Sequence, residues 1–400
     1  MKRKSLTNTN QGTNQSIMRA YNERLILSII RNHGSLAKAD IAKITKLSAQ
    51  TISVIMRELE SDGFLLRGTP LRKGKVGQPL VPMKLNPDGA FFFGLKIGRS
   101  SAQLVLIDFL GHVRTISSHS YLYPSPDDIL SFTRKEIKKI TQTLSPEQQD
   151  SIAGLGVTLP FNLWSWSDIV GAPIKNLEAW KHTDIQGLLS RELDCPVLLQ
   201  NDATAACGAE LIFGNKNNAR DFVYFYIGYF IGGGIVIDGN LFSGRTGNAG
   251  ALGSMPIVSK EGSAAQLIDI ASIKTLESSL TANGHESDWL WQSPEEWPTP
   301  DDTIKNWINE TGKAIAYAIA SSSTVIDFET AFIDGWLPEN IRSDIVQKVE
   351  HHLQNLNIQG LELPSIEQGS IGYHARSIGG ASLPLSKFLL GNAPLETNKA

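Results

Sequence analysis

The sequence predicts an α/β protein with an N-terminal winged helix-turn-helix, and three observations predict it. Residues 35–63, SLAKADIAKITKLSAQTISVIMRELESDG, hold two helical periodicities on either side of a short turn. Two β-rich runs then flank a basic, glycine-containing tip. Beyond residue 88, β-rich runs alternate with helical stretches, the pattern of an α/β body.

In chain order, the polar start MKRKSLTNTNQGTNQS has no apolar centre of the kind a signal peptide needs, and residues 1–16 are expected to form a basic arm. Asn22 followed by Leu25, Ile26, Leu27, Ile29 and Ile30 supplies a supporting helix. Ile41, Ala42 and Ile44 recur at helical spacing, and Lys46-Leu47-Ser48 forms a turn whose serine can cap the next helix. From Ala49 to Leu59, Ile52, Ile55, Met56 and Leu59 share one face, while Gln50, Thr51, Ser53 and Arg57 point outward as a recognition helix would present them to bases or phosphates. Strands over 63–67 and 80–85 flank LRKGKVGQP, a wing tip in which Arg72, Lys73 and Lys75 would meet phosphates or a minor groove. In isolation the same tip would be a solvated basic loop; behind a helix-turn-helix it predicts contact. Double-stranded DNA is the expected partner, touched by Ser48, Gln50, Thr51, Ser53, Arg57, Arg72, Lys73 and Lys75.

Composition bounds the remainder. Four hundred residues exceed a single core, so two or three domains are expected. The formal net charge is only −3, yet residues 1–80 hold 14 Lys and Arg against 5 Asp and Glu, leaving 23 against 35 in the rest. A basic reader is joined to an acidic body. The two cysteines, Cys195 and Cys207, are too few for a disulfide framework and fit a reducing compartment. No apolar run approaches the ~20 residues that span a bilayer, so a cytoplasmic protein is expected.

Within the body, AFFFGLKIGRSSAQLVLIDFLGHV predicts strand, turn and strand, bending at Gly98 and turning at Asp108 to Gly111. SIAGLGVTLP, CPVLLQND, DFVYFYIGYFIGGGIVIDG and ETAFIDGWLP are further strands, each running into a Gly, Asp or Pro turn. Helices are expected over 127–143, 185–193, 203–212, 303–320 and 341–353.

The order of winged helix, strand-Gly-strand, CPVLLQNDATAACGAE, IGYFIGGGIVIDGNLFSG and GNAGALGSMP resembles the ROK family of sugar kinases and sugar-responsive repressors, over about 14–390. The resemblance implies a two-lobed actin-like, hexokinase-like (ribonuclease H-like) body with a cleft between duplicated halves. It also implies a division into an arm (1–16), the winged helix-turn-helix (17–87), an N-terminal lobe (88–200), a C-terminal lobe (201–378) and a closing helix and tail (379–400).

Phosphoryl transfer needs a backbone cradle for phosphates, a carboxylate for Mg²⁺ and a base beside the attacking hydroxyl. Where the family has an Asp-x-Gly-Gly-Thr turn, this chain has Lys96-Ile97-Gly98-Arg99-Ser100, with lysine in place of the carboxylate. The second family loop, Gly-Thr-Gly-x-Gly, corresponds to Gly228-Tyr229-Phe230-Ile231-Gly232-Gly233-Gly234, with two aromatic rings that damage the cradle whether they face the terminal phosphate or serve the core. Asn201 and Asp202 match the family's asparagine and catalytic aspartate. Asp202 can take or hold a sugar hydroxyl's proton, or cap the helix that follows.

In Gly247 to Ser254, Ala251 stands where the family has a sugar-binding glutamate and Ser254 where it has a zinc-ligating histidine, and the family's cysteine segment is absent. Neither structural zinc nor a cofactor is expected. Asn176, in GAPIKNLEAW, resembles the family's Ala-Pro-Asn-Leu stretch, so the ligand set implied is Asn176, Asn201, Asp202, Gly250 and Ala251. Trp164, Trp166 and Trp180 can stack on sugar faces or fill interfaces, and the adjacent His351 and His352 are expected to be solvated. The function implied is a sugar-responsive, DNA-binding regulator, chiefly a repressor of carbohydrate genes, acting as a homodimer or homotetramer without kinase activity or a membrane. The alternatives are a sugar kinase fused to a DNA-binding module, and a regulator controlled by a protein partner.

Overall fold

Helix α1 (Asn14–His33) buries Ile26, Leu27, Ile29 and Ile30, the apolar run that marks it in the sequence. Helix α2 (Lys38–Thr45) differs from expectation. Ile41 is fully buried, but Ile44 is 43% exposed and Ala42 only half-buried. The helix has two turns, and its inward stripe runs Ala37, Ile41, Thr45 in steps of four, which turns Ile44 outward. Lys46 then takes a left-handed conformation (φ 58°) to end it.

Helix α3 (Ala49–Ser61) buries Ile52, Ile55, Met56 and Leu59, the four residues its periodicity places on one face. Strands β1 (Leu65–Arg67) and β2 (Met83–Leu85) pair antiparallel with Leu65 opposite Leu85. Leu36 and Met83 exchange both backbone hydrogen bonds (3.0 and 2.8 Å), adding the third edge of a wing.

The computed structural model describes residues 14–70, 80–161, 163–166, 177–215, 217–258, 262, 264–388 and 390. The chain divides into two units, one of Met1–Val157, Asn162–Leu199 and Gly380–Ala400, the other of Thr158–Phe161 and Gln200–Gly379.

In the first unit, β3 (Phe91–Ile97), β4 (Ser101–Asp108) and β5 (Val113–Ser120) form an antiparallel meander. After α4 (Pro126–Thr141) comes β6 (Ile152–Leu159), and after α5 (Ile185–Glu192) comes β7 (Val197–Asn201). The sheet order is β5-β4-β3-β6-β7.

The second unit begins with α6 (Asp202–Phe213), then β8 (Phe222–Ile227), β9 (Gly232–Ile237) and β10 (Asn240–Leu241). A small antiparallel pair, β11 (Pro256–Val258) and β12 (Ala264–Gln266), precedes α7 (Ile273–Ala282) and α8 (Asp302–Ser323). Then come β13 (Thr330–Gly335), α9 (Glu339–Gln354) and β14 (Ser365–Gln368), followed by α10 (Ala375–Phe388), whose residues from Gly380 on belong to the first unit. The order β10-β9-β8-β13-β14 repeats that of the first sheet, with β8, β13 and β14 parallel. The duplication is therefore carried by strand order.

All six residues of β8 are buried because the strand lies between β9 and β13 with both faces covered. Val223, Phe225 and Ile227 join the core of α7, α8 and α9, whereas Phe222, Tyr224 and Tyr226 pack with Ala206 and Cys207 of α6. Helix α7 has no counterpart in the sequence reading, and α10 starts at Ala375, before the expected 379. Its composition, ARSIGGASLPLSKF with Pro384 inside, hides it from propensity.

The winged helix is tied to the first sheet by Arg31. Its guanidinium, brought down to about 10 by burial with Asp108 acting in opposition, stays charged near pH 7. It donates to the carbonyls of Phe109 (2.8 Å) and Leu110 (3.0 Å) in the β4–β5 turn. That turn is held by Asp108, wholly buried, which accepts from the backbone N–H groups of Leu110 and His112 and from Arg114 Nε. Phe109 packs against Phe64 with ring centroids 5.7 Å apart.

Candidate functional site

On the recognition helix, Gln50 and Arg57 are exposed and Thr51 and Ser53 half-exposed, all opposite the buried stripe. Ser48 is the N-cap. Its Oγ accepts the Thr51 N–H at 3.1 Å and lies 2.8 Å from Thr51 Oγ1. Its place in the site is thus to start the helix in register, which leaves it exposed at the same end as Gln50. Ser48→Ala is expected to lower stability by about 1 kcal/mol, read by urea denaturation; no change in midpoint would contradict the capping assignment. The wing tip with Arg72, Lys73 and Lys75, and likewise Asn176, lie outside the described residues.

Strand β7 of the first sheet runs into α6 at Asn201. The Asn201 Oδ1 caps that helix by accepting from the N–H groups of Ala203 (3.0 Å) and Thr204 (3.1 Å). Asp202 is the first helical residue, which corrects the alternative that Asp202 is the cap. One carboxylate oxygen accepts from the Ala203 N–H at 3.0 Å and the other from Arg376 Nη1 at 3.1 Å. Both side chains are nearly buried, at 10% and 16% exposure. Arg376 is itself seated over the Tyr226 ring, 4.8 Å from its centroid, and its carbonyl accepts from Thr158 Oγ1. Burial acts to lower the Arg376 guanidinium, but Tyr226 and Asp202 outweigh it and hold it above its usual value.

The start of α6 rests directly on β9, where a Cβ at Gly232 would come within 2.8 Å of the Ala203 Cβ. A Cβ at Gly234 would come within 2.5 Å of the Cys207 Cβ, so only glycine admits this approach. Gly250 (φ +76°) lies on the other side of the same glycine, where its own Cβ would meet Gly234 Cα at 2.7 Å. The structure therefore brings Asn201, Asp202 and Gly250 into one neighbourhood. Ala251 follows as the exposed residue that opens the short turn Leu252–Ser254, and it offers no carboxylate.

The 228–234 loop has spent part of its hydrogen bonding on the protein. The Ile231 N–H donates to Ser272 Oγ at 3.1 Å, and Ser272 is wholly buried. The carbonyls of Gly228 and Tyr229 accept from Ile273 and Lys274, at the N-terminus of α7. Tyr229 stacks near Phe230 and Trp291, with centroids 4.8 and 5.4 Å apart, so both rings are half-buried parts of an aromatic cluster. A phosphate cradle needs N–H groups free to point at oxygen, and here one is engaged by a buried hydroxyl.

The first loop is also closed upon itself. Lys96 Nζ donates to the Ser101 carbonyl (3.3 Å) and Oγ (3.2 Å), and Tyr121 donates to the Gly98 carbonyl at 2.8 Å. A Cβ built at Gly98 would meet Lys96 Nζ at 2.6 Å, so the ammonium covers the backbone that a phosphate would approach.

Of the aromatic candidates, Trp180 is 4% exposed and donates to the Pro124 carbonyl at 2.9 Å, which makes it core. Trp164 is 38% exposed. His351 is exposed as expected, whereas His352 is half-buried, within 3.1 Å of Asn309 Oδ1, and lowered by burial and by its neighbour His351. Burial pushes the Cys195 thiol up to about 11 and that of Cys207 well above its usual value, so neither is a ready nucleophile. Among the described residues no three His, Cys, Asp or Glu gather as a metal site, and no helix is long and apolar enough to cross a membrane.

Sequence reasoning missed Arg376, 174 residues from Asp202. One signal was present: an arginine at the start of a helix whose next ten residues carry no charge.

Two matching sheets, a winged head and an Asn-Asp helix start define a member of the ROK family, and residues 92–386 of the chain match that family. The chain belongs to it, and residues 19–65 match the winged helix-turn-helix DNA-binding family. The xylose repressor of Caldicellulosiruptor bescii is 26% identical over 251 residues, 61% of this chain and 60% of that protein. Among solved structures, a ROK family transcriptional regulator described as a homologue of Escherichia coli MLC matches with a TM-score of 0.66 at 22% identity, over 92% of this chain and 96% of that one. A ROK glucokinase from Streptomyces griseus, in complex with glucose and AMPPNP, matches with a TM-score of 0.57 at 18% identity, over 74% and 99%.

Proposed function

We propose that this protein is a sugar-responsive DNA-binding transcriptional regulator, a repressor of carbohydrate genes, that does not phosphorylate its effector. The observation that carries this reading is the contrast within the second unit. Asp202 is held in place by the helix start and by Arg376, while the neighbouring glycine loop has an N–H consumed by buried Ser272. A carboxylate placed to accept a sugar hydroxyl is retained, whereas the glycine loop has turned part of its backbone hydrogen bonding toward the protein itself. The similarity to a xylose repressor supports the same reading, as does the winged head at the N-terminus.

The effector is a small carbohydrate bound by Asn201, Asp202, Gly250, Ala251 and Asn176. Ala251 removes a carboxylate from that set, so hydroxyl recognition rests on fewer charged acceptors. The DNA partner is a duplex operator, read by a homodimer or homotetramer, since symmetric readers match palindromic half-sites. Gln50→Ala is expected to relax sequence choice by about 1–3 kcal/mol at one base pair, and Arg57→Ala to weaken binding across all sequences. Competition assays with single-base operator variants separate the two; equal losses on every variant for Gln50→Ala would contradict its role.

The experiment that tests the function is a thermal-shift screen with mono- and disaccharides, run beside an ADP-release assay. A sugar at 100 times its dissociation constant should stabilise the fold by about 2.7 kcal/mol. No ADP release is expected with any of them. Sugar-dependent ADP release would favour a kinase fused to a DNA-binding module; absence of any sugar shift would favour control by a protein partner.

A further inference from the structure

Val54 lies on the reading face of α3, one helical turn from Gln50 and three residues from Arg57, and it is 43% exposed. It lines a surface groove with Ser48, Gln50 and Thr51, whose other wall is Met18, Arg19 and Asn22 of α1. The apolar residues that shape this helix, Ile52, Ile55, Met56 and Leu59, are buried on the opposite side, so Val54 is not part of that core. Val is also a poorer helix former than the Lys, Gln or Ala an exposed position would ordinarily carry.

In a major groove the base edges present acceptors, amino donors and one apolar group, the C5-methyl of thymine. A valine set against any of the polar edges would exclude water and return no hydrogen bond, leaving that edge unsatisfied. Against the thymine methyl it buries apolar surface with no such cost. We infer that Val54 is a specificity-determining residue that reads a thymine methyl in each half-site, beside the hydrogen-bonding contact of Gln50. This inference rests on the DNA-binding reading above and deepens it.

The test uses the full chain and a duplex enriched by it from a random library. Each thymine is replaced singly by deoxyuridine, which removes only the methyl, and affinity is read by fluorescence anisotropy. For the wild type, one thymine per half-site should show about a fourfold loss, the worth of one buried methyl. For Val54→Ala, an exposed and structurally mild change, that loss should disappear while the other positions keep theirs. Uniform indifference to deoxyuridine in the wild type would overturn the inference, as would an unchanged profile in Val54→Ala. Loss of an oligomer in Val54→Ala with the profile intact would overturn it in favour of a protein contact. If the library yields no bound duplex, the DNA-binding reading itself fails and the inference falls with it.

Discussion

Replacing Asp202 by alanine is expected to lower stability by about 3–5 kcal/mol, because the change strands the guanidinium of Arg376 in a nearly buried site. Urea denaturation measures it. Asp202→Asn keeps the shape and a hydrogen-bond acceptor, so it should lose less, and Asp202→Leu combined with Arg376→Met should recover much of the loss by removing both charges together. The same variants separate structure from sensing. Folded Asp202→Asn is expected to bind duplex DNA with wild-type affinity and to lose its response to sugar. A wild-type sugar response in Asp202→Asn would remove Asp202 from the effector site.

The second large effect is expected at Arg31. Its guanidinium is the donor to two carbonyls of the β4–β5 turn, at 2.8 and 3.0 Å. Arg31→Ala leaves both acceptors without that partner and is expected to cost about 1.5–3 kcal/mol. The loss falls on the tie between the winged helix and the first sheet, so the head should unfold before the rest. Calorimetry should then resolve an early transition absent from the wild type. A single, unshifted transition in Arg31→Ala would contradict the role of Arg31 as a tie between the head and the sheet.

The winged head was legible in the sequence because its signals are local. A buried stripe at i, i+3, i+4 and i+7 places Ile52, Ile55, Met56 and Leu59, and the Ser48 cap lies three residues from the N–H it serves. Ile44 faces outward for a related reason: in a two-turn helix, steps of three and four are nearly equivalent, and packing selects the stripe through Thr45. The tie through Arg31 joins residues 78 apart, and the Arg376–Asp202 pair joins residues 174 apart, so no periodicity carries either. The repeat of the two sheets is likewise a matter of strand order, to which side-chain pattern is indifferent. A family motif marks Asn201 and Asp202, but the division of labour between them, one capping and one ion-paired, is set by the distant Arg376 and so leaves no local trace.

In the proposed regulator, sugar occupancy without phosphoryl transfer governs DNA affinity. Anisotropy of a labelled operator duplex at low salt, titrated with this protein with and without the stabilising sugar and with no nucleotide present, tests it most directly. Tight binding that weakens severalfold when the sugar is added is the expected result. Affinity that ignores the sugar until ATP is supplied, or a protein that leaves duplex DNA unbound, would contradict it.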